Sequence, residues 1–312
     1  MQKPKIALYW SASCGGCEIA VLDVNEKILD VAAAADIVFW PVALDTKYKD
    51  VQAMPEKNID FCFFNGAIRN SENEKMAKLL RQKSKILVAF GSCACDGCVV
   101  GLANLWDKES IFQRVYIETP STNNPSSIFP QNKTKVDGKE LELPVFYDTV
   151  KPLSQVVDVD YFISGCPPPV ACIVNAFEMI LNNKLPPKGA NFLPSKSVCD
   201  ECLREKKDRK LSRIKRVYEI EDDEITCFWD QGVVCMGPAT RAGCGAQCLK
   251  VNVPCTGCGG PGPQASDQGA AMLNALASVI ADPKVLSQVV DPVGTFCKYS
   301  LANSILRRKI KE

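Results

Sequence analysis

Lys5-Ile6-Ala7-Leu8-Tyr9-Trp10-Ser11-Ala12-Ser13-Cys14-Gly15-Gly16-Cys17-Glu18 begins with six residues of strand character and runs straight into a two-cysteine turn. Short apolar runs of this kind are what a parallel sheet buries on both faces. Four more follow, at 37–44 (with Pro41 as an irregularity), 59–67, 85–89 and 159–164. Between them lie helical stretches: Val21, Val24, Ile28 and Val31 recur on one face, and Val170, Ile173, Val174, Phe177 and Leu181 do so later. Strand–helix alternation predicts a doubly wound α/β sheet of flavodoxin-like type over residues 1–188. Residues 104–152 interrupt it with prolines, polar residues and a hairpin signal at Asp137-Gly138.

From about residue 189 the character changes. Cysteines, glycines and prolines crowd 199–263, and hydrophobic periodicity nearly vanishes. The segment 199–263 is expected to have too little apolar surface for its own core and to be ordered by metal ligation, within a small, mostly irregular domain over 189–312. Residues 266–280 are the exception, an amphipathic helix with Met272, Leu276, Val279 and Ile280 facing inward.

The chain has 312 residues, 17 cysteines, no histidine and a net charge of +1. Near-neutrality gives no global field for nucleic acid or an anionic membrane. The opening residues read as neither a signal peptide nor a twin-arginine leader, and no apolar run reaches the roughly 18 residues of a membrane helix. A reducing cytoplasm with metal-bound cysteines is therefore expected. Without histidine there is no Ser-His-Asp triad, no His-ligated zinc hydrolase and no histidine acid/base. Any chemistry belongs to a bound cofactor or to a partner.

Twelve of the cysteines divide into three sets of four. Soft thiolates in fours select zinc or iron–sulfur clusters. Cys14 and Cys17 follow the first strand, Cys93 the fourth and Cys166 the fifth. Ligands of open α/β sheets bind beyond the carboxyl ends of strands, so these distant residues can converge. A flavin could use the same edge, and zinc could use the same thiols, although structural zinc sites favour compact ligand pairs. The tail adds Cys199, Cys202, Cys227 and Cys235, then Cys244, Cys248, Cys255 and Cys258. A zinc ribbon is the competing reading there.

Cys14-Gly15-Gly16-Cys17-Glu18, Gly91-Ser92-Cys93-Ala94 and Gly165-Cys166-Pro167-Pro168 resemble, in order, the motifs of the small subunit of nickel–iron hydrogenases. The resemblance covers nearly the whole chain. It implies a proximal 4Fe-4S cluster on Cys14, Cys17, Cys93 and Cys166, beside a nickel–iron centre in a separate large subunit. It gives Glu18 a part in proton movement; a first-turn helix acid favoured by the helix dipole is the alternative. The chain departs from the pattern at Cys95 and Cys98, extra thiols at the mouth of this site, either inert or alternative ligands.

In the tail the resemblance implies a distal 4Fe-4S cluster on Cys199, Cys202, Cys227 and Cys235, with Cys199 standing where many relatives have histidine. It implies a medial cluster on Cys244, Cys255 and Cys258, which Cys248 would complete as a third 4Fe-4S. Cys62, Cys172 and Cys297 read as small buried hydrophobes. The all-cysteine sets look most like the coenzyme F(420)-non-reducing, methyl-viologen-reducing group. Its members pass electrons through a 2Fe-2S subunit to heterodisulfide reductase in a bifurcating complex of methanogenesis. Alternatives are a deazaflavin-reducing hydrogenase or sulfhydrogenase subunit, a hydrogen sensor, and a zinc-stabilised scaffold. Residues 203–216 carry eight basic side chains, read as a solvated helix or as a docking face for an acidic electron carrier.

Overall fold

The computed structural model describes residues 3–207, 210–221, 223–280 and 282–305. Strands β1 (Lys5–Trp10), β2 (Asp36–Phe39), β3 (Ile59–Asn65), β4 (Ser84–Phe90) and β5 (Tyr161–Ile163) form one parallel sheet in the order β2-β1-β3-β4-β5. This is the flavodoxin-like order, with its switch point between β1 and β3.

Successive residues of a strand point to opposite faces, and β1 shows it. Ile6 and Leu8 pack with Val21, Val31, Ile173 and Phe177 on one side. Ala7 and Tyr9 pack with Val51, Met76, Leu80 and Leu87 on the other. Helices α1 (Gly16–Leu22), α2 (Lys27–Ala34) and α7 (Val170–Leu181) cover the first face; α3 (Tyr48–Ala53), α4 (Ser71–Lys83) and α5 (Ser92–Asp96) cover the second. Each fully buried Val, Leu, Ile or Phe contributes about 1.5–3 kcal/mol, so the two clusters hold this part together.

The interrupting region carries α6 (Lys108–Gln113) and an exposed hairpin, Lys133–Val136 against Lys139–Glu142. At its turn Asp137 and Gly138 both have positive φ, 49° and 76°, as a two-residue hairpin requires.

Two elements differ from the sequence reading. Strand β2 stops at Phe39 because Pro41 brings no N–H to the ladder, and the chain turns there with Ala43 N–H on Trp40 O at 2.9 Å. The expected 21–31 helix is two helices, broken where Asn25 takes φ 55°, although Val21, Val24 and Val31 still share one cluster.

The tail is mostly irregular, with α8 (Gln247–Lys250), α9 (Gln268–Val279) and α10 (Pro292–Phe296) as its described α-helices. Leu211, Phe228, Val233 and Met236 of the segment 199–263 are buried together with Val198, Met272, Leu276 and Phe296, so that segment shares a core completed by the inward face of α9. Its members within 199–263 come from scattered positions, so no periodicity announces them. The described residues of the basic run at 203–216 form no helix. They are pinned by isolated bridges, Glu205 to Thr226, Leu211 to Ile280 and Lys215 to Val233; Arg209 of that run, and Met1 and Gln2, lie outside the described residues. Among the described residues no helix is long and apolar enough to cross a membrane.

Candidate metal centres

Pairing register brings Trp10 level with Asn65, Asn65 with Phe90, and Phe90 with Ile163. Four strands thus end abreast, and the cysteine-bearing loops leave from one edge. Cys14 and Cys17 flank the start of α1, Cys93 lies in α5, and Cys166 sits in the loop before α7. Gly91 has φ 82°, and a Cβ there would lie 2.3 Å from Cys17 Sγ, so only glycine permits this approach. Ser92 ties the loops: its hydroxyl donates to Cys258 O (2.6 Å) and accepts from Gly165 N–H (2.9 Å).

Burial pushes the Cys17 thiol up, and the nearby thiols of Cys166 and Cys14 push it further. Cys98 exchanges side-chain hydrogen bonds with Cys166, which pulls its pKa down, and with Cys93, which with burial carries it up to about 12. Cys98 therefore stands inside this set. Cys95 does not: it is buried in the cluster beneath the sheet and its Sγ contacts Ala89 O at 3.4 Å.

Glu18 lies in the first turn of α1 yet is buried. Trp40 Nε1 donates to its Oε2 and Asn65 Nδ2 to its Oε1 (3.3 Å). Burial raises its pKa, and these two donors only partly oppose the shift. Neither Trp40 nor Asn65 was marked by the sequence, since each reads simply as a strand-end residue.

In the tail, Cys199 is pushed up to about 12 by burial and by Cys235, Cys227 and Cys202, in that order. Gly237 makes room: a Cβ there would meet Cys199 Sγ at 3.1 Å and Cys235 Sγ at 3.6 Å. Cys258 is pushed up to about 11 by burial, then by Cys244, Cys166 and Cys248. A cavity of about 710 Å³ is lined by Cys244, Cys248, Cys255 and Cys258, with Cys166 on its wall. Cys202, Cys227 and Cys235 are thus near enough to act on Cys199, and Cys244, Cys248, Cys255 and Cys258 share one cavity.

The three sets also adjoin in series. Cys166 lines the same cavity as Cys244, Cys248, Cys255 and Cys258, and the Cys255 amide donates to Cys235 Sγ at 3.3 Å. Of the remaining cysteines, Cys62, Cys172 and Cys297 are buried; Cys172 also contacts Gly243 O at 3.2 Å.

Among the described residues, no group of three or more Cys, Asp or Glu side chains is gathered tightly enough to hold a single metal ion. The sets are looser, all-sulfur, and mutually repulsive as thiolates. A polycationic core bonded to them reverses that repulsion, and glycines at Gly91 and Gly237 leave room beside the sulfurs. These donors fit an iron–sulfur group.

A flavodoxin-like sheet with thiols at its strand ends and a cysteine-rich tail defines the small-subunit class of nickel–iron hydrogenases. The family model described as NADH ubiquinone oxidoreductase, 20 Kd subunit, matches residues 14–180. The iron-sulfur subunit of the F(420)-non-reducing hydrogenase of Archaeoglobus profundus is 42% identical over 98% of this chain and 98% of its own. Its counterpart in the F(420)-non-reducing hydrogenase of Methanothermobacter marburgensis is 38% identical over 100% of this chain and 98% of its own. A chain of an NAD+-reducing NiFe-hydrogenase in the H2-reduced state superposes with a TM-score of 0.51 and 27% identity, covering 59% of this chain and 94% of that one. The chain belongs to the family of nickel–iron hydrogenase iron–sulfur subunits, as an oxidoreductase subunit of the coenzyme F(420)-non-reducing kind.

Proposed function

We propose that this chain carries three 4Fe-4S clusters and relays electrons released by hydrogen oxidation in a large subunit. The proximal cluster would be held by Cys14, Cys17, Cys93 and Cys166, the medial by Cys244, Cys248, Cys255 and Cys258, and the distal by Cys199, Cys202, Cys227 and Cys235. The division of labour falls near residue 188, with the first cluster on 1–188 and the other two on 189–312. When bound, such clusters supply reversible one-electron redox chemistry.

One observation carries the reading. Cys166 shares a cavity wall with Cys244, Cys248, Cys255 and Cys258, and the Cys255 amide meets Cys235 sulfur, which supports a proximal–medial–distal series. Cys248 lines the medial cavity with the other three, which supports a four-iron medial cluster. At the proximal end, Trp10, Ile19 and Leu22 are exposed around a groove of about 400 Å³ that also reaches Cys14 and Glu18. An exposed apolar rim of this kind marks a protein interface, and the large subunit would dock there. Glu18, held by Trp40 and Asn65 with its pKa raised by burial, would take and release a proton beside that interface.

At the far end, the partners would be a 2Fe-2S subunit and a cytoplasmic heterodisulfide reductase. Leu203, Tyr218 and Ile225 are highly exposed there beside the basic run, and this patch would receive an acidic electron carrier. The test is anaerobic purification of the native complex. About twelve irons per chain, a brown colour and co-migration with those subunits are expected. Zinc in place of iron would overturn the clusters; a flavoprotein that reduces the deazaflavin, or a sulfhydrogenase assembly, would overturn the partners.

A further inference from the structure

We propose that Glu201 and Arg204 are positioning residues that fix the separation of the medial and distal cysteine sets. The inference rests on the assignment of those sets above. Both residues flank Cys202 of the distal set, and both reach across to loops that bear other cysteines.

Glu201 spends its whole carboxylate on the loop around Cys244. Oε1 accepts from Gly243 N–H at 2.9 Å and Oε2 from Gly245 N–H at 2.9 Å. The two donors bracket Cys244 in sequence, so the carboxylate holds that segment by both sides. Charge-assisted bonds of this kind are the stronger class. Gly245 has φ 63° and Gly243 φ 120°, conformations that let neighbouring amides turn toward one acceptor.

Arg204 works the opposite way, gathering acceptors. Nη1 donates to Asp223 O (2.7 Å) and Thr226 O (3.0 Å), just before Cys227 of the distal set. Nε and Nη2 donate to Leu249 O (3.4 and 3.3 Å), and Nη2 also to Asn252 Oδ1 (2.7 Å), just after Cys248 of the medial set. The guanidinium lies 4.2 Å over the ring of Phe228, which is fully buried. One planar cation therefore spans the distal loop and the medial loop, with its donors in the fixed fork that only arginine presents.

The two staples are of opposite charge and lie on the same short segment. Together they join the segment of Cys199 and Cys202 to the loops of Cys227, Cys244 and Cys248. Electron transfer between two centres depends steeply on their separation, so a pair that fixes these loops sets the rate of the step between them.

The test uses the whole complex with Arg204→Gln, Arg204→Lys and Glu201→Gln. Lysine keeps the charge but has one point donor, and glutamine at 201 presents an amide N–H against one of the glycine N–H donors. The readouts are iron per chain, the magnetic interaction between the reduced tail clusters in electron paramagnetic resonance, dye reduction by hydrogen, and hydrogen–deuterium exchange at the large subunit. Support is retained iron and unchanged exchange, with an altered magnetic interaction and dye reduction lowered about ten-fold or more. Arg204→Lys should fall between wild type and Arg204→Gln. Retained iron with unaltered interaction and dye reduction overturns the proposal. Iron loss in all three variants also overturns it, because the residues would then govern assembly rather than spacing. A wild-type complex without two separate tail clusters would instead defeat the assignment on which the proposal rests.

Discussion

The backbone N–H of Cys255 donates to the Sγ of Cys235 at 3.3 Å, so the two cysteine sets of the tail share a hydrogen bond. Met236 N–H in turn donates to Cys255 O at 2.9 Å, which locks the two segments side by side. Donors aimed at sulfur raise the potential of a thiolate-bound cluster, so the surroundings of each sulfur set the redox gradient along the series.

Thr240 tests that statement. Its hydroxyl donates to Met236 O at 2.6 Å and lies near enough to Cys255 to lower that thiol's pKa against the larger upward push of burial. Thr240→Val removes that polar group at nearly constant volume. In a redox titration followed by paramagnetic resonance, the medial signal should move to lower potential while the proximal signal stays in place.

Gly91→Ala should be severe for a backbone reason. The new Cβ would meet Cys17 Sγ at 2.3 Å, in a residue at φ 82°. Strain of about 1–3 kcal/mol comes on top of the clash. About four irons per chain should be lost, with dye reduction lost alongside; full iron content in this variant would show that Cys17 is not held there.

The three thiols of α5 and its exit should separate cleanly. Cys95→Ala removes a sulfur buried beneath the sheet and should change stability alone, by about 1 kcal/mol. Cys93→Ala should cost the proximal signal. Cys98→Ala should keep the iron but alter the line shape of that signal, because Cys98 touches both Cys93 and Cys166.

Glu18→Gln keeps the shape and removes the titrating proton, while setting an amide N–H against one of the Trp40 and Asn65 donors. Hydrogen uptake should fall about 10²-fold or more with iron content and cluster signals unchanged. Uptake at the wild-type rate would reduce Glu18 to a buried structural carboxyl.

Asp160 governs acid sensitivity at the β5 edge. Burial pushes its pKa up, but Lys188, Arg81 and Leu87 N–H outweigh it and leave it lowered; Lys188 Nζ is at 2.8 Å and Leu87 N at 2.8 Å. A depressed carboxylate stabilises the fold above its unfolded value, about pH 3.9, and that stability is lost as pH falls through the lower folded value. Asp160→Asn should cost about 2 kcal/mol at neutral pH and flatten the acid limb in thermal unfolding measured against pH.

Much of the sheet was legible because β1, β3 and β4 are buried on both faces and bounded by turn residues. The strand ends followed, and with them the placing of Cys14, Cys17, Cys93 and Cys166 at one edge of the sheet. The break at Asn25 was not legible, since the apolar spacing of Val21, Val24 and Val31 survives it. Of the tail core only Met272 and Leu276 were legible, on their helix; Phe228 and Phe296 join them from segments far apart in sequence. Spacing could not tell Cys95 from Cys98. The chain reverses at Gly97 (φ 88°) and Cys98 (φ 49°), and that turn sends one thiol under the sheet and the other to Cys166. Glu201 and Arg204 were legible only as charge, because what they do is accept and donate to backbone groups.

Ser92 holds Gly165 N–H and Cys258 O with one hydroxyl. Its two bonds stitch the first cysteine chamber to the second through a shared partition. Opening the loop of either set would break a hydrogen bond to this one hydroxyl, so under the proposed function the clusters would be inserted before that seam closes.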